Sequence, residues 1–140
     1  MRYLLDTNVW SEMARPEPME SVRRTFHRYD PQFAMAAPVA DELTFGVARL
    51  PDSRRKTFLA EWLEETLDAY PILPFDLAAA QWHGHERARR MAVGRPAPMV
   101  DGQIAAIAVV NGLILVTRNT DDFDGYLGLQ VENWFAPVCR

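Results

Sequence analysis

PMVDGQIAAIAVVNGLILVT, residues 98–117, contains a helix, its stop and a strand. Pro98 suits the first turn of a helix, where its missing N–H goes unused. Ile104, Ala105 and Ala108 then recur on one face, and that face is almost wholly apolar, which predicts burial. Gly112 closes the helix. The run Leu113–Thr117 is short, apolar and rich in β-branched residues, and reads as a buried strand. Such alternation of helix and buried strand is the pattern of a parallel α/β sheet.

Working outward, the same alternation fills the chain. Arg2–Leu5 reads as a first strand and Asn8–Ala14 as a short helix, stopped by Pro16 and Pro18. A helix is expected over Met19–Tyr29 and a strand over Phe33–Ala36. Pro38 opens a helix to about Arg49, and Asp52 opens another to about Ala69. A short strand is expected over Ile72–Pro74, then a long helix capped by Asp76 and running to about Val93. Gly94–Ala97 is a loop, and Leu129–Val131 is a short last strand. No repeat or low-complexity tract interrupts this order, so residues 1–140 are expected to form one domain.

Composition narrows the function classes. The net charge of −4 argues against a generic nucleic-acid coater, which carries a basic field. No apolar run approaches the roughly 20 residues that span a bilayer, and Met1 and Arg2 lead straight into the first strand rather than into a leader. The single cysteine, Cys139, cannot form an internal disulfide or a zinc–thiolate cluster. These features point to a reducing compartment, the cytoplasm, with no membrane role. Lys56 is the only lysine, so arginine supplies nearly all the basic charge. That bias either serves phosphate contacts or merely follows codon composition.

Acids stand out at four places along these elements. Asp6 follows Tyr3-Leu4-Leu5, and Asp121 and Asp122 follow the strand at Leu113–Val116 after a short turn. In open parallel sheets, sites form beyond such carboxyl ends. Glu42 lies three after Val39 and four before Gly46, on the inward stripe of its helix, whereas Asp41 is rotated about 100° away. Asp101 occupies the first turn of the helix from Pro98, where the helix dipole favours a carboxylate. Each has a bland reading as well: Asp6 and Asp121 as helix caps, Asp101 as dipole complement, Glu42 as a solvated acid. Brought together, such carboxylates repel and take up protons unless a cation intervenes. Oxygen donors without clustered cysteine or histidine suit Mg²⁺ or Mn²⁺ rather than zinc.

These residues carry a family resemblance. Leu4-Leu5-Asp6-Thr7-Asn8, Glu42-Leu43 with Gly46, Asp101 with Ile104-Ala105-Ala106, and Val116-Thr117-Arg118-Asn119 with Asp122-Phe123 resemble, in order, the four motifs of PIN-domain ribonucleases of the VapC/FitB toxin type. Asn133-Trp134 resembles their C-terminal finish without its usual proline. The resemblance implies a three-layer α/β fold, a parallel five-stranded sheet flanked by helices. It implies metal-dependent endonucleolytic cleavage of RNA, with Asp6, Glu42, Asp101 and Asp122 as the acidic site and Asp6, Asp101 and Asp122 holding Mg²⁺ or Mn²⁺. Thr7, Asn8, Thr117 and Asn119 match the supporting polar residues. The spacing selects Asp122, and Asp121 is the nearer ligand if the turn is shifted. It further implies a VapB-like antitoxin partner, a homodimer, and contact with operator DNA only through the antitoxin.

Several other residues admit two readings. His83 and His85 point about 200° apart on a helix and cannot share a metal. Arg87, Arg89, Arg90 and Arg95 are either a solvated face or an RNA-backbone contact, and Arg118 is the better phosphate contact. Trp10, Phe58, Trp62, Leu63 and Leu67 recur at helical spacing, as core or as a partner-binding groove. A haloacid-dehalogenase phosphatase would need an aspartate where Asn8 stands, and a receiver domain would need a late lysine. A PIN-like protein that binds RNA without cutting it is the remaining alternative.

Overall fold

The computed structural model describes residues 1–135. Its elements follow the order β1 (Tyr3–Leu5), α1 (Thr7–Met13), α2 (Glu20–Tyr29), β2 (Phe33–Ala36), α3 (Ala37–Ala48), α4 (Arg54–Ala69), β3 (Ile72–Leu73), α5 (Leu77–Ala92), α6 (Met99–Val110), β4 (Ile114–Val116) and β5 (Val131–Glu132). The strands form one five-stranded sheet in the order β3-β2-β1-β4-β5. Every pairing is parallel, with Leu4 opposite Ala34 on one side and Leu115 on the other.

Local chemistry explains the boundaries. Asp76 caps α5 by accepting from the Ala79 amide at 3.0 Å, and Ser53 caps α4 by accepting from the Lys56 amide at 3.1 Å. The latter moves the start of α4 past Asp52 to Arg54. Pro38 sits in the first turn of α3. Gly112, at φ +65°, makes the left-handed turn between α6 and β4 that other residues resist. The last strand lies slightly later than expected, at Val131–Glu132, because Leu115 N–H donates to Gln130 and Thr117 N–H to Glu132. The turn after β4 contains one 3-10 turn, Thr120–Phe123, which periodicity does not foretell.

The central strands are apolar on both faces because helices cover both. Leu4, Leu5, Phe33, Ala34, Met35, Leu115 and Val116 are fully buried. α6 supplies Ile104, Ala105, Ile107 and Ala108 to the same core. An aromatic cluster seals the other side: Trp10 packs edge-on to Phe26 and Phe33, and its indole N–H donates to the Leu5 carbonyl at 3.1 Å. The consequence for function is positional. Strand order reverses at β1, with β2 on one flank and β4 on the other, so the chain leaves β1 and β4 over a common crevice.

Candidate active site

Asp6 is the first residue past β1, and it is firmly anchored. Its Oδ1 accepts from the Thr7 amide at 2.8 Å, which makes it the N-cap of α1. The capping role and a chemical role are therefore compatible. Its Oδ2 accepts from the Thr117 hydroxyl at 2.8 Å, and the Asn8 amide stands 3.5 Å away. Thr117, fully buried at the end of β4, is completely satisfied: its Oγ1 also accepts from Asn8 Nδ2 at 3.3 Å and from the Asn119 N–H at 3.1 Å. The Arg118 amide donates to Asn8 Oδ1 at 3.0 Å. Five residues from two strand ends thus lock one carboxylate in place.

The other acids gather around it. Thr7 Oγ1 donates to Glu42 Oε1 at 3.2 Å, tethering α3 to α1. Glu42 is solvent-exposed rather than turned inward with Val39 and Leu43. The stripe expectation fails there because Gly46 and Glu42 face the open groove between α1, α3 and α4, not the sheet. Asp101 is half-buried in the first turn of α6, and Asp122 is exposed in the 3-10 turn.

Electrostatics tie the four together. Burial pushes the Asp101 carboxyl above its usual range, and the charges of Asp122, Asp6 and Glu42 push it further in the same direction. Burial likewise raises Asp6; its bonds from Thr117 and Thr7 oppose this, and Asp122 adds to it. Glu42 is raised by desolvation, relieved by Thr7, and raised again by Asp6 and Asp41. Of the two adjacent acids in the turn, Asp122 is the one whose charge acts on Asp6 and Asp101. Even so, among the described residues no three histidine, cysteine, aspartate or glutamate side chains stand close enough to grip an ion without adjustment. The donors share a field rather than a preassembled shell.

A PIN-domain model matches residues 3–126. "VapC ribonuclease Y4jK" of Sinorhizobium fredii is 36% identical, over 96% of this chain and 99% of that protein. "Toxin FitB" of Neisseria gonorrhoeae is 38% identical over 86% and 89%. The structure of FitAB bound to an IR36 DNA fragment superposes with a TM-score of 0.89 at 30% identity, covering 98% of each chain. The chain belongs to the PIN-domain family. Within it, this is a VapC/FitB-type ribonuclease domain, and its sheet order and helical layers agree with that assignment.

The remaining sequence-derived candidates of this PIN domain sort by their contacts. Arg118 is exposed, and its guanidinium lies 5.0 Å from the Phe135 ring centroid, stacked beside the site. The α5 arginines divide. Arg89 pairs with Glu86 at 2.7 Å and donates to the Gly125 carbonyl at 2.8 Å. Arg90 is buried and donates to the Asp124 carbonyl at 3.2 Å. Arg95 lies 3.9 Å from Asp124. Three of the four thus engage the 124–127 segment, and neither sequence reading of them, solvated face or RNA contact, covers that. His83 packs edge-on to Phe75, with ring centroids 5.8 Å apart, away from His85. Trp10 and Leu63 are core, whereas Phe58 is exposed and Trp62 partly so. Glu86 and Tyr126 gave no sequence signal: Glu86 meets Leu127 across 41 positions and Tyr126 lies under Arg90 across 36, and no periodicity links them. Cys139 lies outside the described residues. Among those described, no helix is long and apolar enough to cross a membrane.

Proposed function

We propose that this PIN domain is an endoribonuclease toxin that hydrolyses RNA phosphodiester bonds with a Mg²⁺ or Mn²⁺ ion and is silenced by a VapB-like antitoxin. The observation that supports it is the shared field of Asp6, Glu42, Asp101 and Asp122: the charges of Asp122, Asp6 and Glu42 add to burial in raising the Asp101 carboxyl, Asp122 acts likewise on Asp6, and Asp6 on Glu42. The donor set fits a hard divalent cation: it is all oxygen, and its members are costly to ionise together without one. Asp6, Asp101 and Asp122 would hold the ion. When bound, it supplies charge against the developing phosphorane and lowers the pKa of water.

The chain's own residues do the rest. Thr117 and Thr7 favour the charged form of Asp6 against the burial that opposes it, and with Asn8 they fix how it is turned. Glu42, exposed and anchored by Thr7, is placed to accept a proton from an attacking water. Arg118, exposed beside the acids, offers a bidentate contact to a phosphate next to the cut.

A groove of about 470 Å³ between α1, α3 and α4 is lined by Leu43, Val47, Leu50, Phe58, Leu59 and Trp62 and opens on Thr7 and Glu42. An antitoxin segment laid there covers exposed apolar surface and brings a basic side chain to the acids. Operator DNA is then reached only through the antitoxin, in keeping with the chain's net charge of −4. A second copy of the chain would bury the exposed Phe45, Met99 and Val100 beside the site. The test compares wild type with Asp6→Asn. The variant keeps its fold and loses both growth arrest and Mg²⁺-dependent RNA cleavage. Equal cleavage by the two proteins would overturn the assignment.

A further inference from the structure

α5 carries none of the four acids, yet it packs on α6, which bears Asp101, and holds the 124–127 segment that follows the turn of Asp122. On the Asp122 side, three α5 residues seize the segment that follows the 3-10 turn. Glu86 Oε2 accepts from the Leu127 amide at 2.7 Å, Arg89 donates to the Gly125 carbonyl at 2.8 Å, and Arg90 donates to the Asp124 carbonyl at 3.2 Å. Arg90 also lies flat on Tyr126, 4.3 Å from its ring centroid. On the Asp101 side, α5 and α6 meet closely at Gly102. A methyl group there would stand 2.6 Å from His83 Nε2, so any larger residue would force the His83 ring to shift.

Between these contacts lies a cavity of about 10 Å³, lined by His83, Glu86, Arg90, Pro98, Gly102 and Tyr126. That is about the smallest space that holds one water molecule. Two polar atoms of its wall lack a hydrogen-bond partner: Arg90 Nε and Tyr126 Oη. Both residues are more than nine-tenths buried, at 8% and 7% exposure. Two such orphans beside one water-sized hole are rare, because buried polar groups are nearly always satisfied.

We propose that Arg90 and Tyr126 bind a single buried water that locks α5 against α6 and the 124–127 segment, making Arg90 and Tyr126 positioning residues for Asp101 and Asp122. Arg90 Nε donates to the water, and the water exchanges a second hydrogen bond with the Tyr126 hydroxyl. Glu86 and His83 line the same cavity. The link to the metal rests on the assignment of Asp101 and Asp122 made above. The lock itself does not.

The test uses Tyr126→Phe and Arg90→Lys, with Tyr70→Phe as the matched control. Tyr70 donates its hydroxyl to Asp30, remote from the acids. Amide hydrogen exchange of the metal-free proteins and Mn²⁺ affinity by electron paramagnetic resonance are read well below each melting temperature. Exchange over residues 120–127 is expected to quicken about tenfold in Tyr126→Phe and Arg90→Lys, and the Mn²⁺ dissociation constant to rise at least threefold. Tyr70→Phe should change neither. Unchanged exchange overturns the lock. Faster exchange with unchanged Mn²⁺ affinity overturns its tie to the acidic site. Faster exchange in a family of proteins none of which, wild type included, binds Mn²⁺ upholds the lock and overturns the metal assignment.

Discussion

Replacing Thr117 with valine removes one hydroxyl and nothing else of size, and the structure says what that hydroxyl does. It donates to Asp6 Oδ2 at 2.8 Å and accepts from Asn8 and from the Asn119 amide. A hydrogen bond to a charged group is worth about 1.5–3 kcal/mol. Asn119 is exposed, so its amide finds water and adds little. Asp6 is only 7% exposed and has no such recourse. The expected loss is therefore about 2–3 kcal/mol, or roughly 6–12 °C in melting temperature for a domain of this size. The loss should depend on pH. The Thr117 bond lowers the Asp6 carboxyl against burial, so the valine variant raises it further. The charged form is the one that suffers, and the gap between the proteins narrows as Asp6 protonates on acidification. Thermal unfolding followed by circular dichroism in metal-free buffer at pH 7 and pH 4 reads both effects. A fall of less than 2 °C at pH 7, or a gap that widens in acid, would refute the reasoning. Thr117→Ser should restore most of the loss.

Asp101→Asn tests the same field from the opposite side. The Asp101 carboxyl is raised in the fold, so the folded state binds more protons than the unfolded one above the ordinary aspartate range. Its ionisation therefore costs stability as pH rises through that window. The metal-free variant should melt higher than wild type at pH 7 and lose that advantage towards pH 4. If Asp101 holds the ion as proposed, metal should reverse the order: Mg²⁺ at about 100 times its dissociation constant should add roughly 2.7 kcal/mol to wild type and much less to the variant, as paired melting curves with and without the ion would show. Gly102→Ala should cost about 1–3 kcal/mol through its clash with His83. His83→Ala in the same chain should recover part of that, and simple additivity in the double-mutant cycle would rule out the contact.

The fold was largely legible because its signals are local. The apolar run at Leu113–Thr117 and the continuous burial of β1 and β2 follow from a sheet covered on both faces. Asp76, Pro38 and Gly112 act through neighbours one to four residues away, which a single sequence displays. The misses have the same origin. Ser53 rather than Asp52 caps α4, a choice between adjacent residues that only backbone geometry makes. Glu42 reads as inward from its spacing because periodicity marks a stripe, and does not say whether the stripe ends against the sheet or against an open groove.

The candidate acidic site divides along the same line. The acids themselves were visible as departures from pattern, each at an element end or on an apolar face. What steadies them was not, apart from the polar residues of the Asp6-Thr7-Asn8 and Thr117-Arg118-Asn119 motifs. The Glu86–Leu127 and Arg90–Asp124 contacts join helix to loop across 34 and more positions. In the sequence those α5 residues look like any charged helix face. The physical cause is that an acid cluster must be held by forces opposing its own repulsion, and such forces come from elsewhere in the chain. Arginines without a phosphate to meet are explained once the loop they restrain is the one that carries Asp122.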